Sequence, residues 1–265
     1  MSTRRRRPPI LVVAVAVVAV AFFALPLIGL LQRASWSTIG QDLTTPVASD
    51  ALRLSLICSL SATALSVAFG MPLAWVLARV EFPAKPFVRG LVLLPLVLPP
   101  VVGGVALLAA FSNRGLVNNL LDALFGWRVQ LTFTTAGAIL AETFVALPFF
   151  VITVEAALRS MDLRYEEAAA TLGADRWTVF RRVTLPLILP SVIAGAVLAW
   201  ARALGEFGAT ITFAGNIIGR TQTLPLAVYL ALESNPDVAI ALSLVLLGVS
   251  LIVIVSLRDR WLARS

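Results

Sequence analysis

The stretch RYEEAAATLGADRWTVFRRVTLPLILP (residues 164–190) separates two long apolar segments of the chain. It passes in order through acids, alanines, a glycine, aromatic residues and arginines, and it contains two prolines near its end. Alanine and glutamate favour helix, whereas glycine and proline interrupt it. The stretch therefore predicts a structured helical connection between two hydrophobic elements rather than a short loop.

The sequence around this connection is typical of a membrane protein. Of its 265 residues, 59% are hydrophobic and 13% are charged, whereas soluble domains carry roughly a quarter charged residues. A bilayer core is crossed by about 20 apolar residues, and helices satisfy the backbone there. The predicted fold class is all-α and polytopic, a membrane protein of six transmembrane helices with spans at 10–31, 54–78, 90–112, 135–158, 186–213 and 238–257.

The net charge of +7 is explained by the side of the membrane on which the basic residues fall. If the N-terminus is cytoplasmic, fifteen of the 21 lysines and arginines lie on the cytoplasmic side and five on the outer side, with Arg202 inside a span. An excess of positive charge marks cytoplasmic segments. We therefore expect both termini in the cytoplasm, the lipid bilayer as the surrounding medium and no nucleic-acid partner.

The residue types that support catalysis are scarce. The chain has no histidine, and its one cysteine, Cys58, falls in the second span, where a buried apolar role is expected. The phosphate-binding pattern GxxxxGK[ST] and the hydrolase patterns HExxH and GxSxG do not occur. We expect no catalytic residue, no metal site and no cofactor in this chain, so ATP and Mg²⁺ would be bound by a partner.

The apolar segments divide the chain into four parts. A basic N-terminus (1–9) precedes a first helix (10–31), which a polar segment separates from the working core (52–257), and a tail (258–265) follows. The start resembles a secretory signal, but its apolar run is long and no A-x-A site follows it, so we expect a retained helix. The outer connection (113–134) predicts a short helix that either lies in the membrane interface or docks an outer partner.

The third span contains residues that break helices. Its segment LVLPPVVGG (residues 96–104) includes Pro99, Pro100 and Gly103. Proline kinks helices, glycine permits close packing, and irregular backbone is tolerated at membrane depth where it faces protein or a cavity. Two interpretations remain open, a kinked packing helix and a flexible wall of a translocation path.

The fifth span contains a charged pair. Arg202 and Glu206 are four residues apart, which predicts that they share one face of a single helix, and Gly208 leaves space beside them. Charges within a bilayer face a bundle interior and are usually paired. The pair is either a self-neutralising structural bridge or part of a route for a charged solute. Glu142 in the fourth span is a candidate for the same network.

Capping and bend signals divide the polar connection (162–186) into helix, turn and helix. Asp162 and Asp175 are the predicted N-caps, and Gly173 permits the bend between the two helices. The alanines leave a thin face that another protein can approach closely. A docking site for a partner and an amphipathic loop on the lipid surface are both consistent with this pattern.

The pattern E-A-A-x3-G-x9-[IV]-x-L-P runs from Glu167 to Pro186 and resembles the EAA loop in the membrane subunits of binding-protein-dependent ABC importers. The resemblance spans residues 52–257 and implies the type I importer permease fold. In that family the loop forms coupling helices that sit in a cleft of a separate ATPase. The residues that would couple to the ATPase are Glu167, Ala168, Ala169, Gly173, Trp177, Arg181 and Pro186.

A narrower resemblance rests on RALGEFGATITFAGNIIGRTQTLPLAVY (residues 202–229), which is similar to the molybdate permeases of this family, with Ile218 where proline is expected. It implies a homodimer with the path along its axis, two ATPase subunits and an external oxyanion-binding protein, in a bacterial or archaeal cytoplasmic membrane. Molybdate or tungstate is the expected cargo. Sulfate or thiosulfate is the alternative cargo, and a stand-alone channel or secondary transporter is the alternative mechanism.

Overall fold

A computed structural model describes residues 9–262, with side chains described as far as residue 252. Within that range the chain is helical and contains no strand. A π-helical turn (Phe180–Thr184) joins α9 to α10. The helices are α1 (Ile10–Arg33), α2 (Ile39–Leu43), α3 (Pro46–Arg79), α4 (Lys85–Val97), α5 (Pro100–Phe111), α6 (Leu116–Phe125), α7 (Thr135–Ser160), α8 (Arg164–Thr171), α9 (Arg176–Val179), α10 (Leu185–Leu204), α11 (Gly208–Ala214), α12 (Leu224–Ser234) and α13 (Pro236–Leu262).

Four of the six predicted spans lie within single helices, namely α1, α3, α7 and α13. The described part of α13 contains a shorter apolar segment, Pro236–Ile252. The predicted all-α membrane class is confirmed, while the number of spans and the N-in orientation stay predictions. Among the residues that the structure describes, five helical stretches are long and apolar enough to cross a membrane: Ile10–Arg33, Pro46–Arg79, Pro100–Phe125, Thr135–Ser160 and Arg176–Leu204.

The third predicted span (90–112) is broken rather than kinked. Helix α4 ends at Val97 and α5 begins at Pro100, and Leu98 and Pro99 between them have extended backbone, with ψ of 134° and 133°. A proline donates no backbone hydrogen bond, and the residue before a proline avoids the helical region. The two consecutive prolines therefore end one helix and start the next.

The fifth predicted span (186–213) is also divided, so the prediction that Arg202 and Glu206 share a single helix is wrong. Helix α10 ends at Leu204, and α11 begins at Gly208. Glycine has low helix propensity, and the segment LGEFG has a glycine at both ends of the break. Backbone that is irregular at membrane depth requires protein around it. The contacts of this break are described with the site.

The core is built around α7, which packs against α3, α10 and α11. The ring of Phe150 is fully buried there, and a Cβ atom added to Gly70 of α3 or Gly195 of α10 would lie 2.6 or 3.3 Å from that ring. Small residues let membrane helices approach closely. The two glycines therefore leave the room that Phe150 occupies. Its buried surroundings are Leu77, Ala146, Val151, Val154, Leu158 and Ala203.

Helices α1 and α6 lie outside this core. Helix α1 has no buried residue and packs against α13. The short helix predicted for the outer connection is present as α6, and the buried Asn118 ties it to its surroundings. The Asn118 amide donates to the carbonyls of Ser112 and Val129 at 2.9 Å and accepts from the Val129 N–H at 2.8 Å. Whether lipid or a partner covers α6 stays a prediction.

Candidate functional site

The bend in the polar connection forms where the sequence predicts it. Gly173 has a φ of +84°, and the N–H groups of Gly173 and Ala174 donate to the carbonyls of Ala170 (3.0 Å) and Ala169 (3.1 Å). This is the Schellman arrangement, in which a helix ends at a residue in the left-handed conformation. Helix α8 therefore stops at a position that strongly favours glycine.

Two aspartates organise the helix starts of the connection. The Asp175 carboxylate caps α9 as predicted, since it accepts from the Thr178 N–H at 2.7 Å, and this bond lowers the pKa of Asp175. Asp162 accepts from the Arg164 N–H at 3.0 Å, although Leu163 occupies the N-cap position of α8. The Arg164 guanidinium, 2.6 Å away, holds the pKa of Asp162 below its ordinary value. Both aspartates are therefore ionised at neutral pH.

Exposed residues, some of them apolar, lie before and after the bend of the connection, and we call four of them together the coupling face: Glu167, Ala168, Leu172 and Trp177. Leu172 is 89% exposed and Trp177 is 67% exposed, and the Trp177 ring stacks on Phe180 with centroids 5.7 Å apart. Single exposed apolar residues are common on proteins, but two large ones beside a bend and a carboxylate are typical of an interaction surface. Leu172 is a residue that the sequence reasoning missed.

The remaining predicted coupling residues lie around this face. Ala169 is partly buried, whereas Arg181 and Pro186 are exposed. Arg181 belongs to the π-helical turn, in which the Leu185 N–H donates to the Phe180 carbonyl five residues earlier. Pro186 lacks an N–H and is the second residue of α10, which begins immediately after that turn. The chain thus returns to the core through an irregular helix, and such π-turns are frequent at functional positions.

A charged network at the end of α3 escaped the sequence analysis. Glu155 of α7 forms ion pairs with Arg89 of α4 and with Arg159, the latter at 2.9 Å. Both arginines also donate to the Leu77 carbonyl, Arg159 at 3.3 Å and Arg89 at 3.5 Å. The network satisfies a carbonyl in the last turn of α3 and joins three helices. Its signal in the sequence is the i,i+4 spacing of Glu155 and Arg159.

The charged pair predicted inside the membrane is present despite the break in the helix. Arg202 lies in the last turn of α10, and its Nη1 is 2.6 Å from Oε2 of Glu206. The other oxygen of Glu206 accepts from the Ala209 N–H at 2.8 Å. A cation at a helix C-terminus and a carboxylate at the next N-terminus both suit the helix dipoles. Glu206 therefore pairs with Arg202 and satisfies one backbone N–H at the start of α11.

The two broken helices meet each other. A Cβ atom added to Gly208 would lie 2.7 Å from Cβ of Pro100, and one added to Gly104 would lie 2.5 Å from Cβ of Thr212. Gly103, a predicted path residue, is buried and faces the ring of Phe144. In this conformation Gly103 and Gly208 permit close packing of α5, α7 and α11.

The remaining path candidates differ in exposure. Pro99 and Pro100 are exposed, Arg202 is partly exposed, and the Glu206 side chain is 1% exposed. Glu142, which the sequence could not orient, is directed into the protein and is buried, and its Oε2 atom has no hydrogen-bond partner within the described part of the chain. In that part no group of three acidic, histidine or cysteine side chains is placed to hold a metal ion.

The fold and the loop together define a class of protein, the membrane-embedded permease subunits of importers. The chain belongs to the family of binding-protein-dependent transport system inner membrane components, whose pattern matches residues 66–264. It is therefore a transport subunit of the cytoplasmic membrane and not an enzyme. Membership of the family implies an ATPase and a binding protein as partners.

Individual relatives of this chain are permeases for molybdenum and for sulfate. The "Molybdenum transport system permease protein ModB" of Mycobacterium bovis is 48% identical over 245 residues, which cover 92% of each chain. ModB of Escherichia coli is 44% identical over 214 residues, which cover 81% of this chain and 93% of the relative. The "Sulfate transport system permease protein CysT" of Escherichia coli is 37% identical over 228 residues, which cover 86% and 81%.

Solved structures support the fold. A chain of the bacterial alginate ABC transporter, in complex with an alginate pentasaccharide-bound periplasmic protein, superposes with a TM-score of 0.76 at 21% identity and covers 93% of this chain and 92% of its own. The MetNI methionine ABC transporter superposes with a TM-score of 0.52 at 18% identity, covering 89% and 98%. The prediction of an ABC importer permease fold is confirmed.

Replacing Gly173 with alanine should destabilise the bend of the coupling loop. A left-handed conformation costs a residue with a Cβ atom about 1–2 kcal/mol, while no heavy atom lies within 4 Å of the added methyl group. We expect amide hydrogen exchange over residues 164–185 to become faster by roughly fivefold to thirtyfold, with a smaller change for Gly173→Asn because asparagine tolerates this conformation. Gly90→Ala, which also adds a methyl group in open space but within α4, is the control. Equal exchange in all three variants would contradict this role of Gly173.

Removing Arg202 alone should harm the protein more than neutralising the pair. Arg202→Ala leaves the Glu206 carboxylate buried without its partner, which typically costs about 3–5 kcal/mol. The double change Arg202→Met with Glu206→Gln removes both charges and keeps an oxygen for the Ala209 N–H. We expect a lower thermal midpoint for the single variant than for the double variant in purified detergent-solubilised protein. Equal loss in both would instead favour a separate role for the arginine.

Proposed function

We propose that the chain forms the transmembrane path for molybdate in an ATP-driven importer. The observation that carries this proposal is the identity of 48% and 44% to two ModB permeases over most of both chains, against 37% to a sulfate permease. The segment GNIIGRTQTLP (residues 215–225) gave the same preference from the sequence alone. Tungstate, an oxyanion of the same shape and charge, is included in the proposed cargo.

The proposed assembly contains two copies of this chain, two ATPase subunits and an external oxyanion-binding protein. ATP and Mg²⁺ are held by the ATPase subunits, since this sequence lacks a phosphate-binding loop. Helix α1 is a peripheral helix, residues 52–257 are the permease core, and residues 162–186 are the coupling loop. The absence of buried side chains in α1 supports this division. The termini, 1–9 and 258–265, are cytoplasmic in this proposal; residues 1–8 and 263–265 lie outside the described structure.

The ATPase docks on the coupling face in this proposal. Glu167 offers a carboxylate, Ala168 leaves room for close approach, and Leu172 and Trp177 offer apolar surface. Aromatic anchors with a charged neighbour are typical of the residues that dominate binding energy at interfaces. Gly173 sets the angle between α8 and α9. Ala169, Arg181 and Pro186 support the same docking from the edge of the face.

The translocation path is proposed to run beside the two broken helices. Three of the candidate path residues have exposed surface, namely Pro99, Pro100 and Arg202. The others lie inside: Gly103 and Gly208 permit close helix packing beside the breaks, and Glu206 pairs with Arg202. Because Glu206 offsets the charge of Arg202, the pair attracts an anion weakly. Transport requires binding strong enough to admit the solute and weak enough to release it. Closure of the ATPase against the coupling loops would then rock the two copies between outward-open and inward-open states.

A sulfate permease is the second candidate, supported by the 37% identity to CysT. The two oxyanions share a tetrahedral shape and a double negative charge, so the architecture of the permease does not distinguish them. Selectivity in such a system would rest with the binding protein. Transport of sulfate by this chain with its own binding protein would identify this second function.

Uptake by the reconstituted complex tests the proposal directly. We expect proteoliposomes that contain this chain and its ATPase to accumulate labelled molybdate when the binding protein and ATP are both supplied. Excess tungstate should suppress the signal, and excess sulfate should leave it nearly unchanged. A non-hydrolysable ATP analogue is the control and should abolish accumulation.

Two results would overturn this proposal in different ways. Accumulation that is suppressed by sulfate as strongly as by tungstate would assign the broader oxyanion class. Accumulation that continues without ATP or without the binding protein would assign a channel or a secondary transporter instead.

A further inference from the structure

We propose that Glu166 is a positioning residue that joins the coupling loop to the membrane helices, distinct in role from the adjacent Glu167. This inference rests on the proposed function, because it concerns how movement at the loop reaches the path. The two acids are neighbours in the sequence, and a pattern reading assigns docking to Glu167 alone. Their surroundings in the structure are different.

The two glutamates point in different directions from α8. Successive residues of a helix are about 100° apart around its axis, so the side chains of neighbours leave the helix in different directions. Glu167 is exposed, whereas the Glu166 side chain is 21% exposed and contacts the core. A partner that docks on the coupling face therefore reaches Glu167 and leaves Glu166 covered.

Glu166 links three elements through one oxygen atom. Its Oε1 accepts from Nη2 of Arg79 at 3.1 Å and from the hydroxyl of Thr184 at 2.8 Å. Arg79 is the last residue of α3, and Thr184 is the last residue of the π-helical turn. The first turn of α8 is thus bonded to the end of one membrane helix and to the start of another.

The environment makes this link stronger than a surface ion pair. The Arg79 side chain is 13% exposed, and Thr184 is buried. Exposed pairs contribute little because water screens them, whereas water screens partly buried pairs much less, and hydrogen bonds to ionised groups are stronger than those between neutral groups. Within the described part of the chain, Arg79 pairs with Glu166 through its Nη2 atom, while its Nε atom has no hydrogen-bond partner.

The link continues into the rest of the bundle. Leu77 lies two residues before Arg79, and its carbonyl accepts from Arg159 of α7 and from Arg89 of α4. Glu155 forms ion pairs with both arginines. Displacement of α8 would therefore reach α3 through Arg79, α4 and α7 through the arginines bonded to Leu77, and α10 through Thr184. The covalent connection alone would transmit movement less directly, since it contains the Gly173 bend and the π-turn.

The test compares variants in the complete complex, reconstituted with its ATPase and binding protein. The readouts are retention of the ATPase, the rate of ATP hydrolysis, and the number of molybdate ions accumulated for each ATP hydrolysed. For Glu166→Gln and for Thr184→Val we expect the ATPase to be retained and ATP to be hydrolysed, while molybdate accumulated per ATP falls by about fivefold or more, the range of typical coupling between sites. Thr184→Ser, which keeps the hydroxyl, should restore the wild-type ratio.

Matched controls separate this role from docking and from folding. Glu167→Arg should release the ATPase, as a docking residue requires. Thr63→Val removes a threonine hydroxyl that bonds within α3 only, to the Ser59 carbonyl at 2.7 Å, and should leave the ratio unchanged. The exchanged pair Arg79→Glu with Glu166→Arg should recover part of the ratio that either single change removes, because the ion pair is rebuilt in reverse.

Three outcomes would overturn the inference. A wild-type ratio in Glu166→Gln and Thr184→Val would show that the link does not transmit movement. Loss of the ATPase in Glu166→Gln would make Glu166 a docking residue like Glu167. If neither the exchanged pair nor Thr184→Ser recovered the molybdate-to-ATP ratio, the loss would reflect intolerance of any substitution at this site and not loss of the link. Failure of the proposed function is distinct, since wild-type complex would then accumulate no molybdate with ATP.

Discussion

The cost of leaving a charge or a backbone group without a partner in a bilayer governs this structure. Two of its predicted membrane spans are broken, and each break exposes donors and acceptors that lipid cannot satisfy. Protein contacts take the place of lipid at the breaks. Helices α5 and α11 pack against each other, and the Glu206 carboxylate pairs with Arg202 and accepts from the Ala209 N–H. The second break thus has its carboxylate buried, whereas Pro99 and Pro100 of the first break are exposed. Near the C-terminal end of α3, the Leu77 carbonyl is likewise bonded to arginines from two other helices.

Contacts between Glu166, Arg79 and Thr184 attach the polar connection to the membrane helices. A chain without a nucleotide site receives work from a partner only through a surface that is firmly attached to its membrane helices. The coupling face supplies the surface, with Leu172 and Trp177 exposed around the Gly173 bend. Glu166 supplies the attachment, through Arg79 and Thr184. In the proposed assembly, consecutive acids of one motif therefore serve the exposed and the inner side of the same helix, Glu167 for docking and Glu166 for transmission.

Local sequence signals predicted much of this architecture. Apolar length predicted the membrane helices, Gly173 and Asp175 predicted the bend and the cap of α9, and the EAA pattern indicated the family. The prediction that Asp162 caps α8 is wrong, since Leu163 occupies that position. The sequence did not reveal that Glu206 lies beyond the end of α10, because i,i+4 spacing is compatible with both a continuous helix and a capped break. It also could not orient Glu142 or separate Glu166 from Glu167, since their environment is set by the packing of α3, α7 and α10, which lie far apart in the chain.

The central claim is that the coupling face contacts the ATPase, and photo-crosslinking in the assembled complex tests it most directly. A benzoylphenylalanine placed at Leu172, which is 89% exposed, should crosslink to the ATPase subunit on illumination. The same group at Leu120 of α6, which is 53% exposed and is predicted to lie on the outer side, should give no ATPase adduct. An ATPase adduct at Leu120, or its absence at Leu172 in a complex that hydrolyses ATP, would contradict the account.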